Sequence, residues 1–314
     1  MVPTAIVRQY AVSQQIALEV ADQEVVLHYV MELLRCSGLS GYQMVEGKSI
    51  PGPLLFKGGT ALRKCVFGQT GRFSQDVDLD AAHQNGFEAA IESAFTEHTP
   101  FFGISFSIPN FRYSEEGNFS GSVAYQHEHG SGHFELQISY RLTPILEPRE
   151  LFLQRQLYFD RVEFEPPRLY GLDPYEMIGE KLMACNRRRG GSAKDVYDLF
   201  LWSQRPFDSS LVRAIAVLKA WTDQRGQPRY VPADFLAAVV PGNYRWDDLD
   251  GLVPRRLESN QAEICLKVRE RFAFLADTSD DEAALIVDQT SHRERRLFER
   301  LCTEARDLAA TVNR

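Results

Sequence analysis

The sequence predicts an α/β (α+β) fold in which a domain built on a mixed β-sheet precedes a helical C-terminal domain. Three features indicate this fold. Residues 54–95 have the pattern of a β-α-β-α unit, residues 103–140 contain three strand-like segments, and apolar residues after position 173 recur at helical spacing. We therefore place an α/β domain with an N-terminal helix at residues 1–170 and a helical domain at residues 171–314.

The first domain is predicted to begin with a packed helix or helix pair and to continue with short strands. Apolar residues lie at helical spacing from position 16 to position 34, and Ser37-Gly38 ends this segment. A strand at 54–57 ends at Gly58-Gly59, because adjacent glycines break regular structure. The elements expected next are a helix at about 60–67, a strand at 77–81, a helix near 87–95, and strands at 103–108, 121–127 and 133–140.

The second domain is predicted to consist of helices, with breaks at 190–191, 225–228, 241–242 and around 278–279. Its first helix has a clear start at Asp173-Pro174-Tyr175-Glu176. Asp stands at the N-cap, Pro at the first helical position and Glu at the third. This start places Lys181 two turns into the helix.

Composition and charge exclude several classes of protein. The 314 residues are 44% hydrophobic, and no apolar run reaches the roughly 18 residues needed to span a membrane. Residues 1–11 lack the pattern of a secretory signal, and the five cysteines form no Cys-x-x-Cys pair, so we expect a cytoplasmic protein with reduced thiols. The net charge of −8 argues against coating nucleic acid by bulk electrostatics, so any RNA contact needs a local basic patch.

The Gly58-Gly59 turn is a candidate phosphate site. Two glycines let the backbone approach a ligand closely, and the first amides of the following helix have no partners within that helix. Such a pair on its own is more often a simple tight turn. The acidic strand that follows strengthens the phosphate interpretation.

Asp76 and Asp78 lie two positions apart in that strand, so their side chains point to one face about 7 Å apart. Neighbouring carboxylates repel unless a cation joins them, and oxygen ligands together with NTP phosphates favour Mg²⁺ (or Mn²⁺). The metal would align an attacking hydroxyl and stabilise charge on the leaving pyrophosphate. The alternative is a solvated acidic edge strand, although aspartates at 76, 78 and 80 are unusual in a strand.

Two segments carry a resemblance to a known family. The first runs from Phe56-Lys57-Gly58-Gly59-Thr60-Ala61-Leu62-Arg63-Lys64 to Arg72-Phe73-Ser74-Gln75-Asp76-Val77-Asp78, and the second comprises Glu180-Lys181-Leu182, Arg189 and Lys194-Asp195-Val196-Tyr197-Asp198-Leu199. They closely resemble motifs of the AbiEii-like nucleotidyltransferases, toxins of bacterial toxin–antitoxin systems that include the MenT type. The resemblance covers residues 54–199, and after Phe200 only a generic helical likeness remains.

The resemblance implies a DNA polymerase β-like nucleotidyltransferase fold that uses an NTP and Mg²⁺. Better understood relatives add nucleotides to the 3′ end of tRNA, which implies an RNA acceptor, a block of translation and a cognate antitoxin protein as partner. It also implies residue roles: Asp76, Asp78, Lys181 and Asp195 in catalysis, Asp76 and Asp78 as metal ligands, and Gly58, Gly59, Thr60, Ser74 and Lys181 in nucleotide binding.

Lys181 and Asp195 also have ordinary explanations. Local sequence fits a solvated surface lysine equally well, whereas the resemblance implies that Lys181 binds the β- and γ-phosphates. Ser192 and Asp195 form a Ser-x-x-Asp helix start, so Asp195 can simply cap its helix. The resemblance instead implies a catalytic role or the orientation of Lys181.

Many nucleotidyltransferases of this fold use a third carboxylate, and the candidate strand here is 134–138. Alternation puts its apolar residues on one face and Glu135 and Gln137 on the other. Gln137 stands where the family acid is expected. The third acid is therefore Glu135 or Asp195, and the number of metal ions stays open.

Three histidines, His127, His129 and His133, flank the glycine-rich turn at 130–132. They can be interpreted as a transition-metal site, because His127 and His129 share a strand face. A polar hairpin tip is the simpler explanation, and a histidine there can also contact RNA or carry a proton.

The densest basic cluster is Arg187-Arg188-Arg189 with Lys194. Such a run is usually a solvated helix end, but its position between the two helices that carry Lys181 and Asp195 favours RNA phosphate contact equally. Arg63 and Lys64, after the glycine turn, are further candidates for this contact.

Three functional hypotheses follow. In the first, the protein is a toxin that transfers NMP from an NTP to RNA. In the second, the same metal chemistry modifies a protein side chain or a small molecule such as an aminoglycoside. In the third, the protein binds nucleotide without turnover, for which Gln137 is the only support.

Overall fold

The computed structural model describes residues 1–81, 86–113, 118–140, 143–187, 191–222, 231–257 and 259–312. The chain forms two compact units. The sheet unit comprises Met1–Thr143, Pro148–Leu172 and Gly251–Glu258, and the helical unit comprises Pro144–Glu147, Asp173–Asp250 and Ser259–Arg314. Residues 144–147 lie in the first half of the sequence but belong to the helical unit. Residues 251–258 lie in the second half but belong to the sheet unit.

The sheet unit begins with two helices and a hairpin. These are α1 (Thr4–Gln14), α2 (Leu18–Cys36), β1 (Tyr42–Val45) and β2 (Lys48–Pro51). Its later elements are β3 (Leu55–Lys57), α3 (Gly58–Ala61), β4 (Asp76–Asp80), α4 (Glu88–Thr96), β5 (Ser105–Tyr113), β6 (Asn118–His127), β7 (Gly130–Ser139), β8 (Arg149–Leu151) and β9 (Leu169–Gly171). After α3 the chain continues as a π-helical segment, Leu62–Phe67, and a 3₁₀ turn, Gly68–Thr70.

Seven strands form one mixed sheet in the order β5-β6-β7-β4-β3-β9-β8. The central strand β4 is antiparallel to β3 and parallel to β7. Val77 and Leu79 of β4 are buried together with Leu136 of β7, which fixes the core face of the sheet. Helix α2 supplies much of the core, since every residue from Gln23 to Leu34 is buried.

The helical unit contains α5 (Pro174–Arg187), α6 (Ala193–Ser203), α7 (Ser209–Thr222), α8 (Pro232–Ala238), α9 (Gln261–Arg271), α10 (Asp280–Asp288) and α11 (Arg295–Val312). Two very short strands, β10 (Gly191–Ser192) and β11 (Tyr244–Arg245), pair in parallel. The predicted start of the first helix is confirmed. Helix α5 begins at Pro174, and Asp173 Oδ1 accepts a hydrogen bond from the Tyr175 amide at 2.8 Å.

A buried lysine joins α5 to α7. Lys219 Nζ lies 2.8 Å from Glu176 Oε1 and 3.0 Å from Glu180 Oε1. Burial alone would lower the pKa of Lys219, but the two carboxylates raise it above its ordinary value. The Glu176 carboxylate also accepts from the amides of Ile145 and Leu146, which explains why residues 144–147 belong to this unit.

The predicted fold class is confirmed: a mixed sheet with helices is followed by a largely helical second half. The short strands β1, β2, β8 and β9 are not anticipated by sequence patterns. The predicted breaks at Gly190 and at 225–228 lie outside the described residues. None of the helices in the described residues combines the length and the apolar composition of a membrane-spanning segment.

Candidate functional site

The centre of the sheet has a polar face formed by β4 and β7. Asp76 pairs with Glu135 and Asp78 with Gln137 in the parallel register of these strands. Residues paired across neighbouring strands point to the same face, so all four side chains lie on one side of the sheet. Asp76, Asp78 and Glu135 are half-buried, whereas Gln137 is exposed. The alternation predicted for the strand at 134–138 is confirmed.

Gly58 brings the backbone of the glycine turn against this face. Its φ of +76° lies in the left-handed region, and a Cβ added there would lie 2.7 Å from Cγ of Asp78. A residue with a side chain would therefore be strained and would also displace the carboxylate. Glycine at position 58 allows the Asp78 carboxylate to lie directly against the turn.

Gly59 makes room for two other groups. A Cβ at this position would lie 2.5 Å from Nη2 of Arg72 and 3.3 Å from Oγ of Ser74. Arg72 is buried, and its Nη1 donates to the carbonyl oxygen of Phe73 at 3.1 Å. A guanidinium and a hydroxyl thus border the turn at Gly59, whereas the Asp78 carboxylate borders it at Gly58.

Thr60 connects the turn to the acidic strand. Its buried hydroxyl donates to the backbone carbonyl of Asp76, the first residue of β4. The structure therefore brings together the predicted nucleotide-binding residues of the sheet unit and the predicted metal ligands. The assembled residues are Gly58, Gly59, Thr60, Ser74, Asp76 and Asp78.

The third aspartate of β4 has a different environment. Asp80 is buried, and its Oδ2 lies 3.0 Å from Nζ of Lys57 on the neighbouring strand β3. A buried carboxylate is stable only when it is paired in this way. The ion pair gives Asp80 a structural role and explains why three aspartates alternate along one strand.

Asp76 and Asp78 have the chemistry of a site for Mg²⁺ or Mn²⁺, because carboxylate oxygens are the ligands that these ions prefer. Among the residues that the structure describes, no three His, Cys, Asp or Glu side chains are grouped to hold a metal ion, so Glu135 does not complete such a set. Mg²⁺ is commonly bound by one or two carboxylates, with water and substrate phosphates as its other ligands. The donor pair therefore fits this ion.

In the helical unit, Lys181 lies between two carboxylates of α6. Its Nζ donates to Asp195 Oδ1 at 2.7 Å and lies 3.1 Å from Asp198 Oδ2. Ser192, not Asp195, is the N-cap of α6, since its Oγ accepts from the Lys194 amide. The Asp195 side chain instead engages Lys181. We call these three residues the lysine–carboxylate group.

No pattern in the sequence assigns a role to Arg72 or Asp198. Asp198 follows Asp195 by three positions in one helix, and this spacing is itself a signal that both carboxylates share a face. The approach of Arg72 to Gly59 depends on the path of residues 68–75, and no local pattern predicts that path.

The predicted contact of Arg63 and Lys64 with RNA is wrong. Their side chains are only 1% and 3% exposed, because the π-helical segment turns both toward Glu24 of α2. Arg63 Nε lies 3.5 Å and Lys64 Nζ 3.2 Å from Glu24 Oε1. Burial lowers the pKa of Lys64 although Glu24 opposes this effect. The two cationic side chains therefore hold the π-helical segment against α2 and do not reach solvent.

His127, at the end of β6 in the β6–β7 hairpin, has structural contacts. His127 Nε2 lies 3.0 Å from Asp22 Oδ2 on α2, and His127 Nδ1 accepts from the His129 amide. Both ring nitrogens are thus engaged within the protein, as expected for a polar hairpin tip. Of the predicted basic cluster, Arg188 and Arg189 lie outside the described residues, as does the side chain of Arg187.

A mixed sheet with paired aspartates on its central strand, beside a glycine turn that opens a helix, defines the DNA polymerase β-like nucleotidyltransferase fold. The sequence agrees with this class. Residues 50–293 match the family described as "Nucleotidyl transferase AbiEii toxin, Type IV TA system", and the chain belongs to this family of nucleotidyltransferase toxins.

Among solved structures, the chain is similar to MenT4, a nucleotidyltransferase toxin from Mycobacterium tuberculosis H37Rv. The two are 27% identical, with 98% of this chain and 100% of that chain covered and a TM-score of 0.80. The chain also matches JHP933 from Helicobacter pylori at 18% identity, with 86% of this chain and 99% of that chain covered and a TM-score of 0.47. No curated protein matches the sequence. The likeness to MenT4 confirms the predicted fold and the resemblance to MenT-type toxins.

Proposed function

We propose that this toxin is a metal-dependent nucleotidyltransferase that transfers NMP from an NTP to RNA. The expected acceptor is the 3′ end of tRNA, whose modification would block translation in the cytoplasm. The placement of Asp76 and Asp78 on one sheet face, with the Asp78 carboxylate against the glycine turn, carries the proposal. This combination places carboxylates for a cation next to the turn that opens helix α3, where we assign the phosphates.

The triphosphate is assigned to the turn and the groups that border it. Gly58 and Gly59 have no side chains, so the Asp78 carboxylate lies directly against the turn at Gly58, and the Arg72 guanidinium and Ser74 hydroxyl lie against it at Gly59. Arg72 is buried beside Gly59, and its guanidinium adds positive charge next to the turn, which favours a bound phosphate group. The hydrogen bond from Thr60 to the Asp76 carbonyl holds this turn in register with β4.

Asp76 and Asp78 are proposed to hold Mg²⁺ or Mn²⁺. When bound, such an ion polarises the phosphoryl group and stabilises charge on the leaving pyrophosphate. The chain's own contribution is to fix the two carboxylates: Asp78 by its contact with Gly58, and Asp76 through its backbone bond to Thr60. Preorganised charges of this kind need no rearrangement during reaction.

Lys181 is proposed to bind phosphate oxygens of the NTP, with Asp195 orienting it. Two carboxylates within 2.7 and 3.1 Å of one ammonium restrict where the flexible lysine can place its charge. In this proposal Asp198 shares the orienting role, because it approaches the same ammonium from the next turn of α6.

The proposed protein partner is a cognate antitoxin, because the family consists of toxins from toxin–antitoxin systems. RNA is the proposed acceptor because the motifs resemble those of MenT-type toxins. A protein side chain or a small molecule would use the same metal site, so the acceptor must be tested directly.

The test is to incubate the purified protein with each α-labelled NTP, Mg²⁺ and total tRNA. A matched reaction contains tRNA whose 3′-terminal diol has been oxidised with periodate, which removes the hydroxyl acceptor. We expect label in intact tRNA and none in oxidised tRNA. Label in protein or a small molecule would contradict RNA as acceptor, and NTP binding without label in any acceptor would contradict turnover.

A further inference from the structure

We propose that Arg256 is a positioning residue for the nucleotide-binding turn. The inference rests on the proposed function, in which Arg72 and Ser74 border the triphosphate. Arg256 lies far along the sequence from these residues, in the strap, which we define as residues 251–257. The strap follows a long helical stretch of sequence, yet it belongs to the sheet unit.

The strap contacts the linking segment, residues 68–75, which connects the π-helical segment to β4. This segment carries Arg72 and Ser74 to their places beside Gly59. Two of its residues are glycines and have no side chains with which to anchor it. The buried ring of Phe73 packs against Tyr10 and Arg63, and groups outside the segment also hold its backbone.

Arg63 supplies one of these external contacts. Its Nη1 donates to the carbonyl oxygen of Gly71 at 3.0 Å and also to that of Gly68. Because Arg63 is buried on the π-helical segment, it holds the first half of the linking segment against the helix.

The strap supplies the contacts to the rest of the segment. The carbonyl oxygen of Leu252 accepts a hydrogen bond from the Phe73 amide at 2.7 Å, and the Leu252 side chain is buried. Phe73 lies between Arg72 and Ser74 in the sequence, and the side chains of both neighbours border Gly59. The hydrogen bond to Leu252 therefore helps to position Arg72 and Ser74.

Arg256 holds the strap in place for that bond. Its guanidinium donates to the carbonyl oxygen of Ser13 and to Gln14 Oε1, both at 2.9 Å, and to the carbonyl oxygen of Gln69 at 3.3 Å. One side chain thus joins the end of α1, the linking segment and the strap. A planar guanidinium with several fixed donors can make these bonds together, whereas the single ammonium of lysine cannot reproduce the geometry.

Loss of Arg256 should therefore loosen the strap without removing any group assigned to the nucleotide. Arg256 itself is exposed, so its truncation leaves no cavity in the core. The expected consequence is a displacement of Phe73, and with it Arg72 and Ser74, relative to Gly59.

The test compares Arg256→Ala and Arg256→Lys with Arg255→Ala, a control in the same exposed 3₁₀ turn, Arg255–Leu257. We would measure the Kd of NTP, the KM for NTP and for the acceptor, and the thermal midpoint. For Arg256→Ala we expect Kd and KM for NTP to rise by up to about 100-fold, the cost of misplacing binding groups by about 1 Å. The acceptor KM and the thermal midpoint should stay near wild type, Arg256→Lys should be intermediate, and Arg255→Ala should equal wild type.

Equal NTP Kd and KM in Arg256→Ala and Arg255→Ala would overturn this inference alone. A lower thermal midpoint in Arg256→Ala, together with an equal worsening of the KM for NTP and the KM for the acceptor, would overturn it too. The role of Arg256 would then be merely structural. A wild-type protein that neither binds nor transfers nucleotide would overturn the proposed function, and this inference with it, before any variant is made.

Discussion

At the scale of single residues, the site depends on positions where a side chain is missing. Gly58 and Gly59 leave space that Asp78, Arg72 and Ser74 occupy. The absence of side chains at these two positions therefore brings the charged groups directly against the turn. Their replacement should affect chemistry more than stability.

We predict that Gly58→Ala reduces nucleotide transfer by at least about 100-fold, because the new Cβ displaces the Asp78 carboxylate. Gly47→Ala is the matched control: its φ of +77° imposes the same backbone strain, but nothing lies within 4 Å of the added Cβ. Both variants should lose about 1–2 kcal/mol of stability from that strain. Equal transfer rates in the two variants would show that Gly58 has no special relation to Asp78.

Residue patterns predict the acidic face of the sheet but cannot assign a role to each acid. The alternation of Asp76, Asp78 and Asp80 is visible in the sequence, yet only the Lys57 ion pair distinguishes Asp80 from the other two. Arg63 and the adjacent Lys64 show the same limit. Their positive charge suggests a surface contact, but a buried partner 39 or 40 positions earlier, Glu24, decides their orientation.

At the scale of elements, helices α5 and α6 form the lysine–carboxylate group. The start of α5 at Asp173-Pro174 could be predicted, because capping is a local property. The contact between Lys181 and α6 could not be derived from local pattern, because helix packing is a tertiary property. The family resemblance supplied that expectation instead.

We predict that Lys181→Ala weakens NTP binding by roughly 10- to 100-fold, the loss expected for a charged hydrogen-bond donor. The matched control is Lys267→Ala, which removes an exposed lysine of α9 that is paired with Glu263. Calorimetric titration of both variants with NTP and Mg²⁺ checks this. Unchanged NTP affinity in Lys181→Ala would show that Lys181 does not bind the nucleotide and only forms ion pairs with Asp195 and Asp198.

The junction of α10 and α11 should give the helical unit an acid-sensitive contact. Asp288 accepts from Trp221 Nε1 at 3.0 Å and from the amides of Arg293 and Glu294 at 3.0 and 2.8 Å. Burial alone would raise the pKa of Asp288, but the hydrogen bonds, with that from Ser291, hold it well below its usual range. A carboxyl with a lowered pKa stabilises the fold above its ordinary pKa, and this stability is lost as pH falls toward the lowered value.

We therefore predict that Asp288→Asn lowers the thermal midpoint most at pH 7, and that its difference from wild type shrinks below about pH 4. All three tryptophans of the chain belong to the helical unit, so tryptophan fluorescence reports its unfolding. Asp281→Asn removes an exposed carboxylate of α10 and serves as the control. A difference that stays constant from pH 7 to pH 3 would contradict this account.

At the scale of the whole molecule, the net charge of −8 means that RNA must be held by a local basic patch. The candidates are Arg187, Arg188, Arg189 and Lys194. We predict that replacing the three arginines with glutamine weakens RNA binding and flattens its log–log salt dependence by up to about two units, at roughly 0.7 per phosphate contact. NTP affinity should change little, because the triphosphate is assigned to other residues.

Titration of labelled tRNA at several salt concentrations measures both quantities. A triple variant that keeps its RNA affinity and its salt slope would show that the acceptor binds elsewhere or is not RNA. A protein or small-molecule acceptor would then become the stronger hypothesis.

The architecture of the whole chain could be predicted only in outline. Strand alternation and helical spacing indicate a mixed sheet followed by helices, as observed. They do not show that residues 144–147 join the helical unit or that 251–258 join the sheet unit. Those assignments depend on distant partners, such as Glu176 for the first segment and the Phe73 amide for the second.

The central claim is that Asp76 and Asp78 form a metal-binding pair needed for nucleotide transfer. The most direct test is the rate of NMP transfer by Asp76→Ala and Asp78→Ala, with the thermal midpoint recorded on the same samples. We predict that transfer is abolished while the midpoint stays the same or rises, because removing one of two like charges relieves repulsion. Retained transfer, or transfer lost only together with a collapsed midpoint, would contradict the claim.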